Sequence, residues 1–181
     1  SASQASGDYT GQQGRCKYII TVAAFFINKE GLIMTRINVY SLRLVKESAG
    51  NYDIQSPVSS PGAVYKAACD ILELHEQPNE VFAILCLNTK NKIAGAHIIS
   101  QGSLSSSIVH PREVFKAAIL NNANAIIMLH NHPSGDPTPS RDDLETTKRL
   151  CDAGKLLGIQ VLDHVVIGDG TYISMKEKGL M

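Results

Sequence analysis

The chain contains 181 residues, which is enough for one ordinary domain with a sizeable core and short for two. Its 17 basic residues balance 17 acidic ones and form no Lys/Arg tract, which argues against strong non-specific binding to nucleic acid while still allowing a local basic face. The 4 cysteines are scattered without a C-x-x-C pair, which indicates core thiols in a reducing, cytoplasmic compartment instead of a disulfide framework.

The N-terminal part of the sequence lacks the features of a packed domain. Residues 1–14 are rich in Ser, Gly and Gln without periodicity, which is typical of disorder or of a non-native tail. The apolar run at 18–27 follows basic residues, as in a secretory signal, but no small-residue cleavage site comes after it. The run is also shorter than the roughly 20 residues that span a bilayer. A buried or adventitious strand is therefore favoured there, and no membrane contact is expected.

A domain boundary is predicted at Met34. Residues 29–31, Lys-Glu-Gly, are what a purine-rich ribosome-binding sequence would encode if it were read in frame, and Met34 follows at a suitable distance for a start codon. We therefore expect residues 1–33 to be a disordered or non-native extension, and residues 34–181 to form the domain.

The first half of this domain is predicted to contain three strands and a helix. Apolar and polar residues alternate over 38–46, which favours a strand. Ser60 can cap a helix that has proline in its first turn and runs over about 61–75. The segments 80–87 and 93–100 then read as two strands around a polar turn. A sheet therefore begins in this half of the chain.

The second half alternates helices and strands. A proline start predicts a helix over 111–122, and the apolar run at 125–129 is typical of a strand buried on both faces. A second helix is predicted over 140–157 because a glycine follows it, and strands over 159–167 and 171–175 complete the chain. This order predicts an α/β fold in which helices cover both faces of a sheet.

The segment LHNHPSGDPTPSRDDLE, residues 129–145, carries the most informative chemistry. His130 and His132 are two residues apart at the end of a buried strand, so both rings should project to the same side. A loop with three prolines then leads to a helix whose first turn contains Asp142 and Asp143. Two imidazoles and the Asp143 carboxylate suit Zn²⁺ and leave a fourth position for water, whose pKa zinc lowers to about 7. A hydrolytic zinc site is the natural interpretation.

The pattern H-x-H-x7-S-x2-D, filled by His130, His132, Ser140 and Asp143, resembles the JAMM motif of JAB/MPN metalloproteins. The segments AHIISQGSLSSSIVHPREV, HNHPSGDPTPS and LLGIQVLDHVVIGDG resemble the bacterial RadC family more closely still, over roughly residue 34 to the C-terminus. The resemblance implies a cytidine-deaminase-like, three-layer α/β/α fold with a mixed sheet and a bound zinc ion. It also implies a relationship to isopeptidases that remove ubiquitin-like tags.

The same resemblance implies roles for two further residues. In the JAMM arrangement, a glutamate at the start of an upstream strand acts as general acid/base, and Glu80 is the matching position here. Ser140 would donate a hydrogen bond to the developing oxyanion. Taken alone, Ser140 and Asp143 could simply form a helix capping box, and Asp142 is interpreted as solvated charge at the helix start.

Other polar residues compete weakly for these roles. Glu113 is an alternative to Glu80, but its place early in a helix suits a capping role better. His110 is interpreted as a cap or packing residue. Asp163 and His164 are adjacent and should face opposite sides, so a structural tie is favoured over a contact behind a metal ligand. His75 and His97 have no identifiable partner in the sequence.

Three functions are compatible with this sequence. The leading hypothesis is a zinc-dependent hydrolase of peptide or isopeptide bonds, acting on a protein or peptide substrate. The first alternative is a DNA-repair-associated or nucleic-acid-processing factor, against which the neutral charge and the single-metal ligand set argue. The second is a non-enzymatic interaction scaffold, since many JAB/MPN domains have lost the motif. Substrate identity and oligomeric state are not encoded in any legible pattern.

Overall fold

A computed structural model of the chain falls into two units, residues 1–42 and 43–181. In the first unit, strand β1 (Phe26–Ile27) pairs antiparallel with strand β2 (Ile33–Met34). The rest of the predicted extension 1–33 lies outside the described residues, so that prediction and the start at Met34 stay predictions. The residues that the structure describes are 26–27, 33–34, 38–39, 41, 44–54, 56–102 and 109–181.

The second unit contains three α-helices and a five-stranded mixed sheet within its described residues. The sheet order is β4-β3-β5-β6-β7, with β5 and β6 parallel and the other neighbours antiparallel. No described helix is long and apolar enough to cross a membrane. The elements are α1 (Pro61–Leu72), a 3₁₀ turn (Leu74–Glu76), β3 (Glu80–Leu87), β4 (Ile93–Gly102), α2 (Pro111–Leu120), β5 (Ala125–Asn131), α3 (Arg141–Leu157), β6 (Gln160–Ile167) and β7 (Tyr172–Ser174).

The helix boundaries follow from local sequence signals. Ser60 caps α1 by accepting a hydrogen bond from the Ala63 N–H, and proline occupies the first position of both α1 and α2. Ser140 caps α3, and Gly158 ends it in the left-handed conformation that glycine adopts without steric cost. These elements therefore lie close to their predicted positions.

The predicted strand at 38–46 is wrong for the part of it that the structure describes. Residues 38–39, 41 and 44–46 do not form a strand. The side chains of Val39 and Val45 are 92% and 82% exposed. Alternation of apolar and polar residues stabilises a strand only where a neighbouring strand and a packed face are present, and the described residues of this segment are all exposed.

The core lies on both faces of the sheet, which confirms the predicted three-layer α/β/α architecture. Helix α1 covers one face, and helices α2 and α3 cover the other. Strand β5 is buried along its whole length because it lies between β3 and β6 with helices on both sides. Its alternate side chains enter different layers: Ala125, Ile127 and Leu129 on the α1 side, and Ile126 and Met128 on the α2/α3 side.

The cysteines in the described residues are free thiols. Cys86 is fully buried in β3, and burial raises its pKa to about 12. Cys69 and Cys151 are partly buried on helices, and Cys16 lies outside the described residues. Cys86 therefore matches the predicted core thiol most fully.

Candidate metal centre

The two predicted histidine ligands meet at the carboxyl end of β5. His130 continues the face of Ile126 and Met128, and His132 follows with its N–H bonded to the Ile167 carbonyl at 2.8 Å. The two Nε2 atoms lie 3.0 Å apart. The His130 side chain is only 1% exposed and that of His132 is 18% exposed. The pair therefore forms a half-open site, closed behind His130 and accessible beside His132.

The loop that follows holds the ring of His132. Its Nδ1 lies 2.8 Å from the Asp136 carbonyl, and because a carbonyl only accepts, Nδ1 carries a proton and Nε2 is the nitrogen that faces the site. Gly135 accepts a hydrogen bond from the Asp169 N–H at 2.9 Å, which ties the loop to the turn after β6. The loop thus fixes both the orientation and the tautomer of this ring.

Asp143 faces both histidines from the first turn of α3. Its Oδ1 lies 3.3 Å from His130 Nε2, and its Oδ2 lies 3.5 Å from His132 Nε2. The same Oδ2 accepts hydrogen bonds from the Ser140 N–H and hydroxyl, each at 2.7 Å. Asp143 therefore completes a capping box and faces the histidines at once, so the two interpretations are compatible.

Glu80 is the fourth member of the group. It is the first residue of β3 and lies on the same face as Phe82, which pairs with His130 across the sheet. One ligand atom from each of Glu80, His130, His132 and Asp143 can be chosen so that all four lie within 4.8 Å of one another. The structure thus brings together four residues from two strands, a loop and a helix.

The carboxylate and the histidines are electrostatically coupled. Burial opposes ionisation of Asp143, but hydrogen bonds from His130 and His132 together outweigh it and hold the pKa of this carboxyl well below its usual range. The same hydrogen bond to Asp143 raises the pKa of His132. A half-buried, ionised carboxylate beside two imidazoles favours a cation at this point.

The spacing of the ligand atoms fits one tetrahedral ion. Bonds of about 2.0–2.1 Å to a tetrahedral ion separate neighbouring ligand atoms by about 3.3–3.4 Å. His130 Nε2 lies 3.0 Å from His132 Nε2 and 3.3 Å from Asp143 Oδ1, and His132 Nε2 lies 3.5 Å from the other oxygen of that carboxylate, Oδ2. The donor set and its geometry are therefore suited to a single metal ion with room for a further ligand.

Asn131 was not anticipated from the sequence. Its Oδ1 accepts the Val81 N–H at 2.8 Å, and its Nδ2 donates to the carbonyls of Gln77 and Asn79 at 3.2 and 3.1 Å. These bonds hold the backbone on both sides of Glu80. The sequence did contain one indication of this role. Asn131 lies between His130 and His132, and because successive side chains in a strand alternate, its side chain should point away from the face of the histidines.

His164 was predicted to have a structural role, and in the structure it also contacts the buried side of His130, one of the predicted ligands. Its Nε2 lies 2.8 Å from His130 Nδ1, and its Nδ1 lies 2.6 Å from the hydroxyl of Thr147, a residue that sequence analysis missed. Burial lowers the pKa of His164, so the ring is neutral. Asp163 instead ties β6 to β7 through Ser174 Oγ at 2.6 Å, the structural role predicted for it.

The remaining candidates lie outside the group. Glu113 pairs with Lys116 and Arg112 on the surface of α2, and His110 precedes that helix without a side-chain capping bond. Asp142 is exposed at the start of α3. His75 pairs with Glu76, and His97 contacts the Asn121 amide. None of these side chains belongs to the four-residue group among the described residues.

The fold and the site together define a three-layer α/β/α domain with a candidate metal centre at the end of its central strands. The chain belongs to the RadC-like JAB domain family, whose model matches residues 58–180 and so includes all three helices, the five-stranded sheet and the four clustered residues. The predicted family resemblance is confirmed.

Curated relatives show high identity over the same region. A UPF0758 protein of Desulfitobacterium hafniense is 50% identical over 142 residues, covering 78% of this chain and 62% of the relative. A UPF0758 protein of Caldanaerobacter subterraneus is 59% identical over 122 residues, covering 67% and 52%. One from Methanosarcina barkeri is 51% identical over 124 residues, covering 68% and 53%. The chain therefore spans between half and two thirds of these relatives, whose names state no activity.

Proposed function

We propose that this chain is a zinc-dependent hydrolase of the JAMM type that cleaves peptide or isopeptide bonds in a protein or peptide substrate. The observation that carries the proposal is the convergence of Glu80, His130, His132 and Asp143 within 4.8 Å. Membership of the JAB family, which includes hydrolases, supports the same activity.

The ligands of the ion would be His130, His132 and Asp143. Two imidazoles and one carboxylate suit Zn²⁺ and leave one tetrahedral position free, which distinguishes a catalytic site from a closed structural one. When bound, zinc supplies Lewis acidity toward the scissile carbonyl and a water whose pKa is lowered to about 7. Partial exposure at His132 gives the site an open side for a substrate.

Glu80 would move the proton in this reaction. Its carboxylate is partly exposed at the edge of the group, where it can take a proton from the attacking water and return it to the leaving amine. Asn131 fixes the backbone on both sides of Glu80, so the point from which this side chain extends is held in place relative to the histidines. This arrangement needs no further acid or base.

Ser140 would stabilise the oxyanion by hydrogen bonding. In the structure its hydroxyl donates to Asp143 Oδ2 and accepts from the Asp143 N–H. To serve the oxyanion, the hydroxyl proton has to turn from the carboxylate toward the substrate, and the capping bond from Asp143 N–H can persist during that turn. Ser140 therefore combines a structural contact with the proposed catalytic one.

The test distinguishes the proposed metal ligand Asp143 from the proposed general base Glu80. Zinc affinity is measured by competition with a chelator, and turnover with fluorogenic peptides and an isopeptide-linked peptide pair, for the wild type and three variants. Asp143→Asn should lose tight zinc binding and turnover. Glu80→Gln should keep zinc within about threefold of wild type and lose at least about 100-fold in turnover, the scale of general acid–base catalysis. Asp142→Asn is the matched control and should keep both.

Two results would overturn the proposal as a whole, and a third would overturn the role given to Glu80. A folded wild-type protein that binds no zinc at saturating concentration removes the metal site. A zinc-loaded wild type that cuts DNA or RNA, while both peptide substrates stay intact, assigns the site to nucleic-acid chemistry instead. A large loss of zinc affinity in Glu80→Gln would make Glu80 a fourth ligand and contradict its role as base.

A further inference from the structure

A buried chain of hydrogen bonds connects helix α3 to the ring of His130. The Thr147 hydroxyl lies 2.6 Å from the Asp143 carbonyl and 2.6 Å from His164 Nδ1. His164 Nε2 lies 2.8 Å from His130 Nδ1. Thr147, His164 and His130 are each at most 1% exposed. The chain starts at the backbone of one proposed ligand, Asp143, and ends on the ring of another.

The direction of the first bond follows from its acceptor. A backbone carbonyl can only accept, so two oxygens 2.6 Å apart require the Thr147 hydroxyl proton between them. The Met175 sulfur lies 3.3 Å from the same hydroxyl and is the weaker of the two acceptors. A threonine has one hydroxyl proton, so toward His164 this oxygen can only accept.

The positions of the ring protons on His164 and then on His130 follow from this. His164 must donate from Nδ1 to Thr147. The ring is buried and its two nitrogens contact Thr147 and His130, neither of them a carboxylate, so the ring is neutral and its Nε2 is an acceptor. His130 must therefore donate from Nδ1 to His164, so its Nε2 is the nitrogen that faces Asp143 and His132. We propose that Thr147 and His164 are positioning residues that fix the Nδ1–H tautomer of His130 and direct its Nε2 lone pair to the metal centre.

Packing around the two rings supports this assignment. The Phe82 ring lies 5.5 Å from the His164 ring in an edge-on contact and 6.3 Å from the His130 ring in a nearly parallel one. Both imidazoles are therefore packed beside an aromatic side chain. This packing restricts the orientation of the two rings, while the hydrogen bonds determine which nitrogens carry protons.

His130 and His132 each carry a proton on Nδ1, but a different partner accepts the hydrogen bond from each of them. His132 bonds to a loop carbonyl at Asp136, whereas His130 bonds to a second imidazole whose polarity is set by Thr147. The usual partners behind a metal-binding histidine are carboxylates and backbone carbonyls, and their loss lowers metal affinity by about 10–100-fold. A threonine–histidine relay performs this orientation on the buried side of the site.

Imidazole nitrogen shifts test the relay directly in the metal-free wild-type chain, because protonated and unprotonated ring nitrogens have well-separated ¹⁵N resonances. His130 should show a protonated Nδ1, and His164 a protonated Nδ1 with an unprotonated Nε2. A His130 ring without a proton on Nδ1, or a His164 ring protonated on Nε2, overturns the inference. The inference rests on the proposed metal site, but this measurement needs neither zinc nor turnover, so failure of the relay and failure of the hydrolase are distinguishable.

Substitutions at Thr147 provide the second readout. Thr147→Val keeps the shape of the side chain and removes the hydroxyl, whereas Thr147→Ser keeps the hydroxyl. Zinc affinity should fall about 10–100-fold in Thr147→Val and stay within about threefold of wild type in Thr147→Ser, with folding checked by circular dichroism. Equal affinity and equal ¹⁵N shifts in both variants overturn the relay. If Thr147→Val fails to fold, the wild-type spectrum alone decides.

Discussion

The two faces of β5 end in different kinds of polar site. On the α2/α3 face, the apolar run ends in His130, whose Nε2 faces His132 and Asp143. On the opposite face, the run ends in Asn131, whose amide binds backbone groups of the segment that contains Glu80. One face thus presents imidazole side chains to the proposed metal centre, and the other holds the backbone of the segment around Glu80.

This contrast shows how one strand can organise both parts of the proposed chemistry. Because successive side chains alternate, ligands and anchor are separated by the sheet while they share a backbone. A change of register by one residue would exchange the histidine face and the asparagine face of β5. The tight burial of β5 on both sides opposes such a change, and so it also keeps the histidines on the side of the site. The two faces should therefore respond differently to substitution.

The largest effect is expected for His130→Ala. Removing a ligand should weaken zinc binding by more than the about 100-fold that loss of a supporting contact can cause, which corresponds to about 3 kcal/mol or more. Chelator competition measures this change. His110→Ala is the matched control, since His110 lies at the start of α2 without a side-chain capping bond, and its zinc affinity should equal that of wild type. Tight binding by a folded His130→Ala protein would contradict the assignment of this face.

Asn131→Ala should have the opposite profile. It leaves the fully buried Val81 N–H without its partner, so the free energy of unfolding should fall by about 2–3 kcal/mol in denaturant titrations, while zinc affinity changes little. The control Asn88→Ala removes amide contacts to the Lys90 and Lys92 N–H groups in an exposed turn and should cost less than about 1 kcal/mol. A loss of zinc affinity as large as that of His130→Ala would remove the distinction between the two faces.

Parts of the site and fold with local signals could be predicted from sequence. The His-x-His spacing in a buried strand and the Ser140–Asp143 cap each depend on neighbours a few residues away. Helix starts at proline and the two-sided burial of β5 are local in the same sense. Such features depend on backbone periodicity and capping chemistry, which a sequence displays directly.

The parts that could not be predicted depend on contacts across the fold. Asn131 binds residues about 50 positions away, and His164 meets His130 only because β6 pairs parallel with β5. The position of Glu80 came from family resemblance, since no local spacing defines it. The alternation at 38–46 indicated a strand, but whether a segment has a neighbouring strand is a property of the whole chain.

Gly168→Ala probes the loop on the histidine face. A Cβ at this position would lie 2.3 Å from the Gly135 carbonyl oxygen, so the loop that holds His132 has to move. Crowding against backbone should lower the free energy of unfolding by about 1–3 kcal/mol and weaken zinc binding through His132. The neighbouring Asp169→Ala keeps the backbone bond to Gly135 and should be near wild type in both measurements. Unchanged zinc affinity in Gly168→Ala would show that the loop does not position the ring.

Ser140→Ala should have the smallest effect on stability and is the most informative about roles. Loss of the cap should lower the free energy of unfolding of the chain by about 1 kcal/mol, measured by denaturant titration, and Ser140→Thr should recover most of it because threonine keeps the hydroxyl. If Ser140 serves the oxyanion, turnover of the alanine variant should fall by about 100-fold, far beyond the effect of a lost cap. A loss of stability without a loss of turnover would leave Ser140 as the cap of α3 alone, and the histidine face would then act through its metal ligands and Glu80.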